Sequence, residues 1–305
     1  MFIIITKQII KMGLLLFLGF FCYRKKLISH EGTLTLSNLL LMVITPALVL
    51  VSFQIDHNPR ILKGMLAAML LSILAHVIGI ILSTLLVRKD PKGHYVIERF
   101  SDVMSNCGFM GIPLINALYG AEGVIYLTAY VTVFNILTWT YGYSLMTGTH
   151  SLKKMRGGLL SPVMISIVIG LAFFLLKIRL PRILYDTCSY LSDMNTPVAM
   201  LLAGAVLAES DLGSAVQNRG VYRVGLMRLV IIPLLTLLVF MLFPIDPMIR
   251  CTVLIAAACP TGTICIMFAL RFNKDHVHAS QIFALVTVAS LITLPLFVLL
   301  CEKLI

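Results

Sequence analysis

The strongest constraint in this sequence is a series of apolar stretches, each close to the ~20 residues that a helix needs to cross a bilayer. Of the 305 residues, 59% are hydrophobic and only 12% are charged, which is not the composition of a water-soluble protein. Short polar gaps separate ten such stretches. They span residues 2–23, 33–53, 61–87, 95–119, 122–147, 158–177, 188–208, 222–243, 248–271 and 277–301. The sequence therefore predicts an all-α membrane protein with ten transmembrane helices.

The distribution of basic residues among the gaps predicts the orientation of the chain. The formal net charge is +11, but the cations lie in short gaps between apolar stretches and form no polar surface for nucleic acid. If successive gaps alternate sides, one side holds fourteen Lys and Arg residues, and the other side, with both termini, holds nine. Cytoplasmic loops carry the excess of basic residues. We therefore expect a multi-pass protein of the cell membrane, surrounded by lipid, with both termini outside the cytoplasm.

Two proline-centred segments lie five predicted spans apart. Residues 45–50 read Thr-Pro-Ala-Leu-Val-Leu, and residues 196–201 read Thr-Pro-Val-Ala-Met-Leu. A second pair places Gly and Pro in the middle of the fourth and ninth spans, at 106–113 and 259–263. Helical hydrogen bonding is expected to fail there, because Pro lacks an N–H group and its ring disturbs the preceding turn. The pattern predicts a duplication with interrupted fourth and ninth helices.

A repeat with an odd number of spans places its second copy upside down, which is the plan of many secondary transporters. We expect a first five-helix repeat at 1–150, a short cytoplasmic linker at 151–157 and a second, inverted repeat at 158–305. Each interrupted helix would expose backbone N–H groups with partial positive charge, next to unpaired carbonyls of the opposing half-helix. Two such interruptions predict a solute site near the middle of the membrane.

The motifs around these interruptions also resemble a known family. In chain order they are Gly19 before Arg24-Lys25-Lys26, Leu36-Ser37-Asn38 before Pro46-Ala47-Leu48, residues 106–114 with 117–120, Trp139-Thr140-Tyr141-Gly142, Arg228 before Pro233, Pro260, and Ala279-Ser280 with Leu294-Pro295. Together, in order and spacing, they resemble the auxin efflux carrier family, which includes bacterial organic-acid (malate-type) permeases and plant exporters.

The resemblance implies a sodium/proton-antiporter-like fold of ten helices in which broken helices four and nine cross. It also implies a scaffold of spans one, two, six and seven, and a mobile unit that moves as an elevator. The implied substrates are small organic anions, either mono- or dicarboxylates. The chain departs from the plant exporters in having only residues 150–157 between its halves, and in offering Thr261 and Thr263 where they place Asn.

Asn106, at the first interruption, is the leading candidate for substrate contact. A neutral amide can donate to a carboxylate without the cost of burying a charge, or it can bond the carbonyls that Pro113 frees. The other candidates are Cys107, Gly108, Gly111, Pro113, Pro260, Thr261, Gly262 and Thr263, with Thr45 and Ser52 from the second span. For these the alternative is plain packing or backbone capping.

Titratable and charged residues bear on the coupling ion. The interruptions contain no acid, and the nearest ones, Asp102 and Glu122, are expected near opposite membrane edges, which favours an anionic or neutral solute. His76 is either a proton-coupling site or a hydrogen-bonded packing residue. Arg228 either attracts an anion or extends to the cytoplasmic edge. No resident cofactor or metal is expected, while H⁺ and Na⁺ are candidate coupling ions.

These features favour a secondary active or facilitative carrier of a small organic anion. One alternative is a sodium- or proton-coupled ion exchanger of the same architecture, which should need acids within the membrane. Another is a non-transporting receptor. The motifs HExxH and GxxxxGK[ST] are absent from the sequence, which argues against a membrane metalloprotease and against ATP-driven transport. Ala199 and Ala203 fit either a homodimer contact or packing inside one chain.

Overall fold

The computed structural model describes residues 2–56, 58–91, 93–149, 161–210 and 212–304, and every regular element within them is a helix. The helices are α1 (Phe2–Arg24), α2 (His30–Ser52), α3 (Pro59–Leu86), α4 (His94–Val103), α5 (Cys107–Thr147), α6 (Pro162–Leu176), α7 (Arg182–Glu209), α8 (Leu212–Gln217), α9 (Arg219–Phe240), α10 (Pro247–Ala258), α11 (Ile264–Arg271) and α12 (His276–Leu304).

Six of these helices, namely α2, α3, α5, α7, α9 and α12, are long and apolar enough to cross a membrane. Helices α6 and α10 are shorter apolar helices. These lengths confirm the prediction of an all-helical, multi-pass membrane protein. The count of ten crossings and the inversion of the two halves stay predictions, and the predicted linker at 151–157 lies outside the described residues.

Three helices begin at a proline that follows a polar capping residue. Asn58 precedes Pro59, Ser161 precedes Pro162, and Asp246 precedes Pro247; each capping side chain accepts a hydrogen bond from a backbone N–H of the first turn. A helix leaves its first N–H groups without internal acceptors, and proline removes one of them while its φ angle suits a helix. These pairs set where α3, α6 and α10 begin.

Three helices widen into a π-helical turn just before an internal proline. The turns are Leu40–Ile44, Cys107–Gly111 and Met227–Ile231, each ending two residues before Pro46, Pro113 or Pro233. A proline ring clashes with the carbonyl four residues earlier and donates no hydrogen bond. The wider turn accommodates both effects, so the helices bend without ending.

The predicted interruptions of the fourth and ninth spans are present. Helix α4 ends at Val103 before α5 begins at Cys107, and α10 ends at Ala258 before α11 begins at Ile264. Helix α5 itself breaks at Gly120, whose φ of 60° and ψ of −152° lie outside the helical region. That conformation favours glycine, because a side chain there is strained. Gly120 lies at the predicted boundary between the fourth and fifth spans.

Helices α1 and α7 pack with their backbones in close contact. A methyl group on Gly19 would overlap the backbone of Leu201, and one on Gly204 would overlap the backbone of Leu16. Small residues allow helices in a membrane to approach this closely and gain dispersion energy. Ala203, one of the candidates for a subunit contact, is completely buried here, as is Ala199, so both pack inside this chain.

Candidate functional site

The two interruptions lie against each other and pair through their backbones. The N–H of Asn106 donates to the carbonyl of Pro260 over 2.7 Å, and the N–H of Gly262 donates to the carbonyl of Met104 over 3.0 Å. Ser105 and Thr261 form an antiparallel bridge. The four half-helices therefore meet at one point, called the crossing below: residues 104–106 and 259–263.

Several residues at the crossing hold its backbone in place. Thr261 is completely buried, and its hydroxyl donates to the carbonyl of Ser101 over 3.1 Å. A methyl group on Gly111 would lie 3.5 Å from the Sγ atom of Cys259, so this turn runs close to the second interruption. Cys107 and Pro113 are also buried. These four predicted site residues lie in or beside the packed crossing, and their contact with a substrate stays a prediction.

A cavity of about 240 Å³ opens beside the crossing and is called the crossing cavity below. Its lining residues are Leu41, Met42, Ser105, Asn106, Gly108, Phe109, Phe134, Asn135, Thr138, Trp139, Ser161, Pro162, Val163, Gly262, Thr263, Ile264 and Met267. Of the predicted site residues, Asn106, Gly108, Gly262 and Thr263 reach it. None of these described lining residues is charged, so polarity comes from amides, hydroxyls and backbone groups.

The electrostatics of the crossing cavity favour a negative charge. Helices α5 and α11 both begin at its wall, and the N-terminal end of a helix carries a partial positive charge. In α11 the N–H groups of Cys265 and Ile266 also donate to the carbonyls of Gly262 and Thr263. The side-chain nitrogen Nδ2 of Asn106 is buried and has no hydrogen-bond partner in the described structure. Two helix N-termini and a free amide donor can together replace part of the hydration of an anion.

Arg228 packs against the crossing, is not among the residues that line the crossing cavity, and is 2% exposed. Its three donor nitrogens bond to backbone carbonyls: Nε to Cys259 over 2.9 Å, one terminal nitrogen to Asp102 over 2.9 Å, and the other to Ala257 over 2.8 Å. These carbonyls belong to the C-terminal ends of α4 and α10 and to the residue after α10. The interpretation that Arg228 extends to the cytoplasmic edge is wrong, because its guanidinium group is occupied inside the protein.

His76 connects to the crossing through one aromatic neighbour. It is 2% exposed, its Nδ1 atom lies 2.7 Å from the carbonyl of Ser72, and its ring lies 4.6 Å from the ring of Tyr130. The Tyr130 hydroxyl in turn lies 3.3 Å from the Ser105 hydroxyl. The bond to Ser72 fits the packing interpretation of His76, while the proton-coupling interpretation stays a prediction.

The two candidates from the second span lie away from the crossing cavity. The Thr45 hydroxyl donates to Oδ1 of Asn195 over 3.1 Å, which joins α2 to α7 at the positions of the proline-centred repeat. The Ser52 hydroxyl bonds within its own helix, to the carbonyl of Val49 over 2.7 Å. Neither residue is among those that line the cavity.

The predicted position of Asp102 near a membrane edge stays a prediction. Within the protein, Asp102 is completely buried and lies two residues before the first interruption, and the sequence did not predict this burial. Hydropathy alone did not reveal it, because a single carboxyl group barely changes the average over a span of about 20 residues.

Comparison with known proteins identifies relatives along the whole chain. The model of a family described as membrane transport protein matches residues 4–156 and 149–298. A protein of Methanothermobacter thermautotrophicus (strain Delta H), described as an uncharacterized transporter, is 22% identical over 301 residues, which cover 96% of this chain and 97% of that protein.

Proposed function

The chain belongs to the membrane transport protein family, the auxin efflux carrier family, and from this premise we propose that it is a secondary carrier of small organic anions. The family makes it a membrane transporter rather than an enzyme. The observation that carries the anion assignment is the meeting of two helix N-termini and the unpartnered amide of Asn106 at one cavity. These donors bind a carboxylate better than they bind a cation.

The rest of the cavity wall supports a narrower substrate class. Phe134, Trp139 and Met267 make much of the wall apolar, and the described lining residues include no Lys or Arg to neutralise a second carboxylate. Burying an unpaired charge in such a wall is costly. A monocarboxylate with an apolar body therefore suits the cavity better than a dicarboxylate.

The walls of the cavity come from both parts that the family resemblance distinguishes. Leu41 and Val163 belong to α2 and α6 of the proposed scaffold, whereas Asn106 and Thr263 flank the starts of α5 and α11 in the proposed mobile unit. A substrate bound between them would travel with the mobile unit when that unit slides against the scaffold. This position supports elevator-type alternating access.

The arrangement in the membrane is part of the same proposal. Repeats at 1–150 and 158–305 would have opposite orientation, joined by a cytoplasmic linker, with both termini outside the cell membrane. The paired interruptions at the crossing are what this arrangement requires. A homodimer is compatible with it, through surfaces other than the buried Ala199 and Ala203.

A flux screen tests the proposal. Purified protein in liposomes is offered indole-3-acetate, malate and malonate, with protein-free liposomes measured in parallel. We expect saturable uptake that is fastest for the apolar monocarboxylate. Ligand-induced thermal stabilisation without any flux would show a receptor instead, and the absence of saturable flux for every organic anion would contradict the carrier assignment.

A further inference from the structure

We propose that Asp102 is a proton-binding site coupled to anion binding at the crossing, so that the carrier moves one proton with each negative charge. The inference rests on the proposed function. Asp102 lies in the last turn of α4, directly before the first interruption, and is completely buried. Its backbone carbonyl is one of the three that bind Arg228.

The carboxyl group of Asp102 lacks the partners that a permanent carboxylate needs. Neither of its oxygens accepts a hydrogen bond of good geometry, although the Ser83 hydroxyl lies near the group. A buried carboxylate without hydrogen bonds costs far more free energy than a buried neutral acid. An acid within a membrane protein that is held this way is a functional site by default, since packing alone would favour an apolar residue.

Charge balance at the crossing links the proton to the anion. With the cavity empty, the positive charge of Arg228 acts on Asp102 from a distance, since its donor nitrogens bond to carbonyls, and favours the ionised carboxylate. A bound anion adds one negative charge to this buried region, and a proton on Asp102 restores neutrality: Asp102 changes from –COO⁻ to –COOH as the anion enters. Because each event lowers the cost of the other, proton and anion bind cooperatively, and by linkage the effect is reciprocal.

Groups on four neighbouring helices lie close enough to Asp102 to interact with its charge. They are the Ser83 hydroxyl of α3, Tyr141 of α5, Arg228 of α9 and Cys265 of α11. The Tyr141 hydroxyl is buried and has no hydrogen-bond partner in the described structure. Arg228 is the one cation among these groups, and its donors are already directed at carbonyls. Asp102 is the one carboxyl group of this set, so the change of charge is assigned to it.

A line of titratable side chains leads from Asp102 to the beginning of α4. His94, Glu98 and Asp102 are spaced four residues apart, so they lie on successive turns of one side of the helix. Their exposure falls from 34% for the His94 side chain to 3% for Glu98 and 0% for Asp102. This row of three side chains provides a route by which a proton can reach the crossing.

Glu98, in the middle of the route, has ionic partners on α9 and α12. Glu98 pairs with Arg223, and its Oε1 atom lies 3.4 Å from Nε2 of His278. The ring of His278 stacks on that of His94 with centroids 4.8 Å apart. Two further acids face these histidines: Asp275, 3.2 Å from Nε2 of His94, and Asp90, which acts electrostatically on His278.

Proton-coupled flux provides the first test. Initial uptake of indole-3-acetate into proteoliposomes is measured with and without an inward proton gradient of one pH unit, after the protein-free rate is subtracted, while a trapped pH dye reports proton entry. The wild-type protein should take up indole-3-acetate faster with the gradient, which can sustain about a tenfold concentration ratio at equilibrium, and should acidify the lumen. Asp102→Asn should show equal uptake with and without the gradient, and Asp102→Glu should restore the acceleration.

Controls and a second readout keep the two proposals separable. Asp193→Asn, which removes an exposed carboxylate on α7, should behave like the wild type. A wild-type anion flux that is the same with and without the proton gradient would overturn the proposal of a proton site while leaving the carrier function intact. Independently of flux, the infrared difference spectrum between acidic and alkaline pH should contain a carboxylic-acid band that Asp102→Asn removes. Persistence of every such band in that variant would also overturn the inference.

Discussion

At the scale of single residues, Arg228 is the side chain that joins the two halves of the chain at the crossing. Its guanidinium group donates hydrogen bonds to carbonyls of α4 and of the end of α10, within 2.9 Å in each case. Carbonyl ends of helices carry partial negative charge, so two of them in proximity repel each other unless a cation lies between. A planar fork with several donors suits this task better than a lysine ammonium group.

Arg228→Lys is predicted to weaken the crossing although it keeps the charge. One ammonium group cannot reach the three carbonyls with the same geometry, and each bond from a charged donor contributes about 1.5–3 kcal/mol. We expect a loss of about 3 kcal/mol in the free energy of unfolding, measured as a lower thermal midpoint in detergent. Arg219→Lys, at an exposed position of the same helix, is the matched control. Equal midpoints for the two variants would contradict this role.

At the scale of helices, hydropathy and proline placement predicted much of the fold. Apolar stretches located the helices, and the Gly and Pro residues at 106–113 and 259–263 located both interruptions. Those signals are local, because they depend on the solvent and on the backbone of one segment.

Contacts between distant segments could not be predicted from such local signals. That Arg228 binds carbonyls 126 and 29–31 residues away, or that Asn195 accepts from Thr45, follows from how helices pack and not from either segment alone. The same holds for Asp102, whose electrostatic neighbours lie on four other helices. The sequence therefore predicted where the backbone of the candidate site is interrupted, but it predicted only some of the side chains that line the site.

The contact between α1 and α7 yields a prediction at this scale. Gly204→Ala should separate the two helices, because the added methyl group would overlap the backbone of Leu16. Overpacking of this kind costs about 1–3 kcal/mol or more. Gly13→Ala is the matched control, since nothing lies within 4 Å of a methyl group there and alanine favours a helix. Thermal midpoints should fall for Gly204→Ala and stay equal or rise for Gly13→Ala; the reverse order would contradict the contact.

At the scale of the whole molecule, the excess of basic residues in alternate gaps predicts where each end of the chain lies. A reporter enzyme that is active only outside the cytoplasm should be active when fused to the carboxyl terminus and inactive when fused after Leu27. The Arg24-Lys25-Lys26 cluster in that gap accounts for the difference. Activity at both fusion points, or the opposite pattern, would mean that the number or orientation of spans differs from the proposal.

In the proposed carrier, the two halves of the chain form one anion site from their helix N-termini and Asn106. The most direct test is the equilibrium Kd of the purified protein for the anion that it transports fastest. Asn106→Ala should raise the Kd by about tenfold to a hundredfold, because a bond to a charged acceptor is lost. Asn116→Ala, which removes an exposed amide from α5, the helix that follows Asn106, should leave the Kd unchanged. An unchanged Kd for a folded Asn106→Ala variant would contradict the account.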